Sequence, residues 1–157
     1  MACKNQSNDK RIEVVLWSLA LPGFGQLLNG QYFKGAVLLI FEFLINIKSN
    51  LNLAIISSFR GDIAASLATT DFQWLMFYPC VYMYAIWDAY RDASASSAPF
   101  SFLPFAFTAF TGTIGVIYSQ QFKVMGALIG PVWLPIIFML LGMGIGSFLK
   151  LMLVRKS

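Results

Sequence analysis

The chain has 157 residues, of which 58% are hydrophobic, 16% aromatic and 11% charged; ordinary soluble domains run near 45–50% apolar and about 25% charged. A soluble fold this small keeps too large a surface to hide that much apolar material, and a mean hydropathy of +0.69 agrees. An integral membrane protein is expected, and a disordered chain, a disulfide-rich secreted module and a conventional nucleic-acid binder are excluded.

In chain order, residues 1–11 form a polar tail containing Lys4, Asp9, Lys10 and Arg11. An apolar stretch follows from Ile12 to Leu28, broken by Pro22-Gly23-Phe24-Gly25-Gln26, and a polar turn runs from Asn29 to Gly35. Residues 36–59 are apolar again, interrupted by Glu42, Asn46, Lys48, Asn50 and Asn52. A mixed loop occupies 60–71, with a short Ala-rich amphipathic turn expected at 63–68. Three cleaner apolar runs, 72–90, 100–119 and 125–149, complete the chain before a basic tail at 150–157. The first, of 19 residues, is about 28 Å long as a helix, close to the roughly 30 Å hydrocarbon core of a bilayer. A small-residue linker at 93–99 separates a unit spanning 12–92 from a C-terminal helical hairpin at 100–149. The period-2 alternation of barrel strands is missing, so the expected class is all-α.

The basic residues orient these segments. If residues 12–28 dip into the membrane and return, Lys4, Lys10, Arg11, Lys34, Arg91, Lys150, Arg155 and Lys156 lie on one side. Lys48, Arg60 and Lys123 lie on the other, a ratio of 8 to 3. If residues 12–28 cross fully, giving five spans, the ratio becomes 5 to 6, against the retention of Lys and Arg in the cytoplasm. The expectation is therefore a polytopic protein of a bacterial inner membrane. It has four full spans, an N-terminal re-entrant or interfacial hairpin, and both termini cytoplasmic. Pro22 and two glycines give the chain a reason to turn back. Cleavage as a signal peptide near Ser18-Leu19-Ala20 is disfavoured, because the apolar core is short and no polar region precedes the site.

The densest motif is Trp17-Ser-Leu-Ala-Leu-Pro22-Gly23-Phe24-Gly25-Gln26-Leu-Leu-Asn29-Gly30-Gln31-Tyr32-Phe33-Lys34-Gly35. Its glycines permit a tight bend, and Gln26, Asn29 and Gln31 can bond the backbone groups that such a bend exposes. Together with Trp87-Asp88-Ala89-Tyr90-Arg91, it resembles the family of small membrane proteins named for a domain of two transmembrane helices. In that family a Gly-rich turn closes the first helix, a Gly-Xaa-Xaa-Lys-Gly-like turn opens the second, and a Trp-Asp pair ends the unit. The resemblance covers residues 12–47 and 74–92 and leaves the last two runs outside it. Here the Trp-Asp pair comes about 50 residues after the Lys-Gly turn, and Gln26-Leu-Leu stands where the family has Arg-Phe-Tyr. The resemblance implies membrane residence and little about activity. The elbow reads either as a purely structural bend or as a partner- or lipid-binding one.

Glu42 lies deep in an apolar segment, where an acid by default suggests a function. Asn46, Ser49 and Asn50 follow it at helical spacing, so a polar stripe could face the interior. Protonation, or a contact with Lys34 or Lys48 across a turn, could make the acid tolerable. It reads as a structural hydrogen-bonding group, an ion- or proton-handling one, or a group at the interface of a shorter span. Asp88 and Arg91 stand at i and i+3, fit for an ion pair, with Trp87 and Tyr90 suited to anchoring at a membrane interface or, alternatively, to ligand or headgroup contact. Gly126, Gly130, Gly142 and Gly146 form two GxxxG patterns expected to pack helices in the final run, with Pro131 and Pro135 kinking it.

The chain has no histidine and two cysteines, so the commonest general base and metal ligand is missing and no cofactor or metal site is implied. No G-x-S-x-G, phosphate-binding loop or H-E-x-x-H is present. The expected function is non-enzymatic: helix packing against lipids, other membrane proteins or further copies of the chain. A small transporter or channel component using Glu42 is the alternative. Nucleic acid is not among the expected partners, because the net charge of +4 is explained by cytoplasmic retention of basic residues.

Overall fold

The computed structural model describes residues 2–93 and 99–156, with side chains from Asp9 onward. Most of the expected linker at 93–99, and the side chains of Cys3 and Lys4, lie outside the described residues. The fold is all-α apart from one small hairpin.

Helix α1 spans Ala2–Ala20 and runs without a break through the polar tail into the apolar run. The boundary expected at residue 11 is one of composition, not of backbone. The chain turns at 21–23, where Pro22 is fully buried and Gly23 takes φ +107°, and continues as α2 (Phe24–Leu28). A side chain at Gly23 would meet the Gly35 carbonyl oxygen at 2.8 Å. Helix α3 (Tyr32–Ser49) and α4 (Leu51–Phe59) share the apolar run 36–59 and meet at 63°. The bend sits at Asn50, left-handed at φ 55°, a conformation that asparagine tolerates better than most residues.

Helix α5 (Ile63–Thr69) fills the expected amphipathic turn, and Asp62 caps it by accepting from the Ala65 amide at 2.9 Å. Asp71 caps α6 (Phe72–Leu75) in the same way, through Gln73 and Trp74. The single helix expected over 72–90 is broken, since α7 spans only Tyr78–Asp92. Pro79 explains the new start, for proline has no N–H to give and suits a first helical turn. Leu51, Leu75 and Val116 form a small core where these elements meet α8 (Leu103–Tyr118).

The expected helix over 125–149 also changes. Strands β1 (Lys123–Val124) and β2 (Ala127–Leu128) pair antiparallel about Met125 and Gly126, both at positive φ. Positive φ at both central residues defines the tight turn that suits the twist of a β-hairpin. Gly126 is therefore a turn residue with open space around it, and Gly130 packs against Ile63 at a helix start. The first GxxxG pattern is not a helix-packing motif here. Helix α9 spans Gly130–Lys156 and carries the basic tail as helix. Pro131 falls in its first turn and Pro135 inside it.

Helix α9 is long and apolar enough to cross a bilayer, and little of it is buried; α3 and α4 pass the same test only if the bent pair is one span. Helices α8 and α9 pack closely through glycines. A Cβ at Gly142 would meet the Phe107 carbonyl oxygen at 2.6 Å, and one at Gly146 the Leu103 carbonyl oxygen at 2.7 Å. From the other side, a Cβ at Gly115 would meet Pro135 Cα at 2.7 Å. Backbones this close gain dispersion contacts along the whole seam.

The N-terminal elements form a hairpin against one half of α7. Arg11 to Leu16 border a cleft shared with Tyr90, and the Leu19 carbonyl accepts a 2.5 Å bond from the Tyr82 hydroxyl. Eight residues of helix separate these levels, about 12 Å along α7. Helix α2 then climbs back, with Gln26 reaching Ala85 and Asn29 reaching Ala89. The two arms of this hairpin therefore run in opposite directions along α7.

Candidate functional site

The elbow and the end of α7 meet in a polar cluster. Ala85, Asp88, Ala89 and Asp92 stand at i, i+3, i+4 and i+7 and so present one face of α7. Gln26 Nε2 donates to the Ala85 carbonyl at 2.8 Å and to Asp88 Oδ2 at 3.2 Å. Asn29 Nδ2 donates to the Ala89 carbonyl at 2.9 Å, and Gln31 Nε2 to Asp92 Oδ2 at 2.6 Å. Lys34 Nζ reaches Asp88 Oδ1 at 3.2 Å and Asp92 Oδ2 at 3.3 Å. Arg91 closes the set through Nη2 to Asp88 Oδ1 at 2.7 Å and Nε to Asp92 Oδ1 at 3.0 Å, with its guanidinium 4.7 Å above the Trp87 ring.

Close backbone approach makes this reach possible. A Cβ at Gly25 would meet Ala89 Cβ at 2.7 Å and would strike the Ser18 hydroxyl, so only glycine lets α2 seat between α1 and α7. Gly35 does the same against Leu27, whose Cδ2 would lie 2.6 Å from an added Cβ. Gly30, at φ +77° in open space, serves the turn into α3.

The charges are ordered by depth. The Asp88 side chain is fully buried and that of Asp92 17% exposed, while Lys34 and Arg91 are 44% and 36% exposed. Two acids face inward and two cations face outward. Burial pushes the Asp92 carboxyl up, but bonds from Arg91, Gln31 and Lys34 outweigh it and hold the group below its ordinary value. Burial likewise pulls the Lys34 ammonium down, and Asp88 and Asp92 outweigh it and raise the group.

No protein-family model, curated protein or solved structure matches the chain.

The residues singled out in the sequence divide cleanly. Pro22, Gly23, Gly25, Gln26, Asn29, Gly30, Lys34, Gly35, Trp87, Asp88 and Arg91 gather at the elbow and its α7 contact. Glu42 stands apart. It is 6% exposed, and its Oε1 accepts a 3.2 Å bond from the Tyr78 hydroxyl, with Oε2 unpartnered among the described residues. Lys34 is drawn to Asp88 and Asp92, so the neutralising contact expected between it and Glu42 does not form. Nor is the polar stripe continuous: Ser49 is buried, but Asn50 is exposed at the bend and Asn46 bonds Asn52.

Two participants were not singled out. Asp92 follows Asp88 by four residues, and that helical spacing of acids beyond a Trp was the available signal. Tyr78 gave none, because its partner Glu42 lies 36 positions earlier. Among the described residues no group of His, Cys, Asp and Glu is placed to hold a metal ion. The acids of the cluster face cations and amides, an arrangement that clamps two segments together.

Proposed function

We propose that the chain is a non-enzymatic integral membrane protein. It has four spans and a re-entrant N-terminal hairpin held by the polar clamp, and it acts through helix packing with lipids or other membrane proteins. The observation that carries this is the distribution of polarity. Large apolar side chains point outward, among them Ile40 (65% exposed), Ile47 (70%), Leu140 (70%) and Phe148 (63%). Buried positions hold Gln26, Asp88, Thr108 and Ser119, each bonded to a partner inside the fold. Water would penalise such a surface, whereas hydrocarbon favours it and asks the polar groups to find partners inside.

The ends of the fold support the orientation. Lys34 and Arg91 share one end through Asp88, while Trp133, near the start of α9, donates to the Ser58 carbonyl at the other end, close to Arg60 and the β-hairpin. The hairpin that descends from the level of Tyr90 to that of Tyr82 and climbs back favours re-entry over a fifth span.

Membrane fractionation under alkaline carbonate tests the reading. The chain should remain in the pellet; release into the supernatant overturns it. Reporters fused after Arg11 and after Asn29 should both face the cytoplasm, and opposite sides overturn the re-entrant hairpin. A second reading, a small transporter component, rests on buried Glu42 with its unpartnered oxygen. It requires Glu42→Gln to abolish coupled flux while leaving insertion intact.

A further inference from the structure

Two apolar grooves flank α7 and share one ridge. The first, of about 420 Å³, lies between α3 and α7, lined by Phe33, Val37 and Phe41 on one wall and Val81 and Tyr84 on the other. The second, of about 350 Å³, lies between α7 and α8, lined by Met83, Trp87, Phe102, Phe105 and Ala106. Cys80 and Tyr84 line both and form the crest between them. Each groove follows seven residues of helix, from Lys34 to Phe41 or from Trp87 to Cys80, about 10 Å down from the clamp.

The two upper mouths carry the outward cations. Lys34 lines the first groove, and Arg91 lies over Trp87 at the head of the second. Both bind the same oxygen, Asp88 Oδ1, which sets them close enough for one phosphate to meet both. The acids that balance them are turned inward, so an approaching headgroup meets positive charge first. A guanidinium and an ammonium side by side suit phosphate oxygens, and paired grooves suit two hydrocarbon tails.

We propose that this face is a binding site for one anionic diacyl phospholipid, its phosphate on Lys34 and Arg91 and one acyl chain in each groove beside the Cys80–Tyr84 ridge. The site rests on the reading of the chain as a membrane protein and names a ligand class for it. Each methylene seated in a groove adds to the affinity, so a single-chain lipid binds more weakly than a diacyl one.

Cys80 is exposed on the ridge, and its thiol reports occupancy. In full-length Cys3→Ser protein in detergent, Cys80 is the only thiol, and its alkylation by N-ethylmaleimide is timed. Phosphatidylglycerol at about ten times its dissociation constant should slow the reaction about tenfold, because protection follows occupancy. Phosphatidylcholine and lysophosphatidylglycerol should protect less at the same concentration, and inorganic phosphate not at all. Ala106→Trp, which fills the second groove from an exposed position, should erase the advantage of the diacyl lipid over the single-chain one. Equal protection by phosphatidylcholine overturns the headgroup assignment, equal protection by the single-chain lipid overturns the paired grooves, and no protection by any lipid overturns the site. Carbonate fractionation of the same protein separates the two levels. A chain in the pellet with no lipid preference refutes only the site, and a chain in the supernatant refutes the membrane reading beneath it.

Discussion

Replacing Asp88 by alanine removes the acceptor that Gln26, Lys34 and Arg91 share. The three bonds are unequal. Gln26 is fully buried, so its bond to a carboxylate is worth about 1.5–3 kcal/mol and its amide is left with the Ala85 carbonyl alone. Lys34 and Arg91 are over a third exposed and regain water when released, so each ion pair adds only about 0–1 kcal/mol. The expected loss is about 2–4 kcal/mol, dominated by Gln26. Asp88→Asn keeps an oxygen for Gln26 and surrenders the charge, so it should cost about half as much. Lys34→Gln leaves Asp88 with two partners and should cost no more than about 1 kcal/mol. Unfolding of the full chain in mixed micelles, followed by tryptophan fluorescence, ranks the three. A Lys34→Gln loss equal to that of Asp88→Ala would refute the assignment of the energy to the buried bond. So would an Asp88→Ala variant within about 0.5 kcal/mol of the wild type.

The remaining expectations are local. Gly142→Val drives a side chain into the Phe107 carbonyl and should destabilise the α8–α9 seam by about 1–3 kcal/mol, whereas Gly144→Ala, facing open space, should stay within about 0.5 kcal/mol, both read from the same micelle titration. Because the Asp92 carboxyl is held low in the fold, its contribution is present above the ordinary 3.8 and lost as pH falls through the lower folded value; Asp92→Asn should flatten that acid limb of the stability curve. The Lys34 ammonium is raised, so its contribution holds below the ordinary 10.5 and fades as pH climbs past it, and Lys34→Gln should remove this alkaline loss. Glu42→Gln keeps an acceptor for Tyr78 and buries a neutral group where an acid stood, so thermal unfolding should shift upward or not at all; a clear loss of stability would show that the carboxyl itself is needed.

Much of the clamp was legible because polar residues stand out in an apolar chain. Gln26, Asn29 and Gln31 read as partners for the backbone of the bend itself, whereas they reach across to Ala85, Asp88, Ala89 and Asp92 on α7. Their pairing was less legible. Glu42 looked within reach of Lys34, yet eight residues of helix separate the two by about 12 Å, and the true partners lie 54 and 58 positions away. The breaks were hidden for a different reason. Asn50, Pro79 and the Met125-Gly126 turn each change the path of the chain through one or two backbone angles, within runs whose hydropathy stays high. The glycines at 142 and 146 announced helix packing, and Gly115 on the opposing helix did not, since a lone glycine carries no period.

The 62 positions between Gln26 and Asp88 set a timetable for assembly. At about 5–20 residues per second, the ribosome needs about 3–12 s to deliver Asp88 after Gln26 has emerged. For that interval the elbow has its bend but not its bonds to α7, and its side-chain amides and lysine must be satisfied by water. The hairpin is thus made well before the segment that secures it. A nascent chain arrested before residue 88 should still expose the elbow to an added protease, and one arrested after the α7 contact has cleared the exit tunnel should shield it.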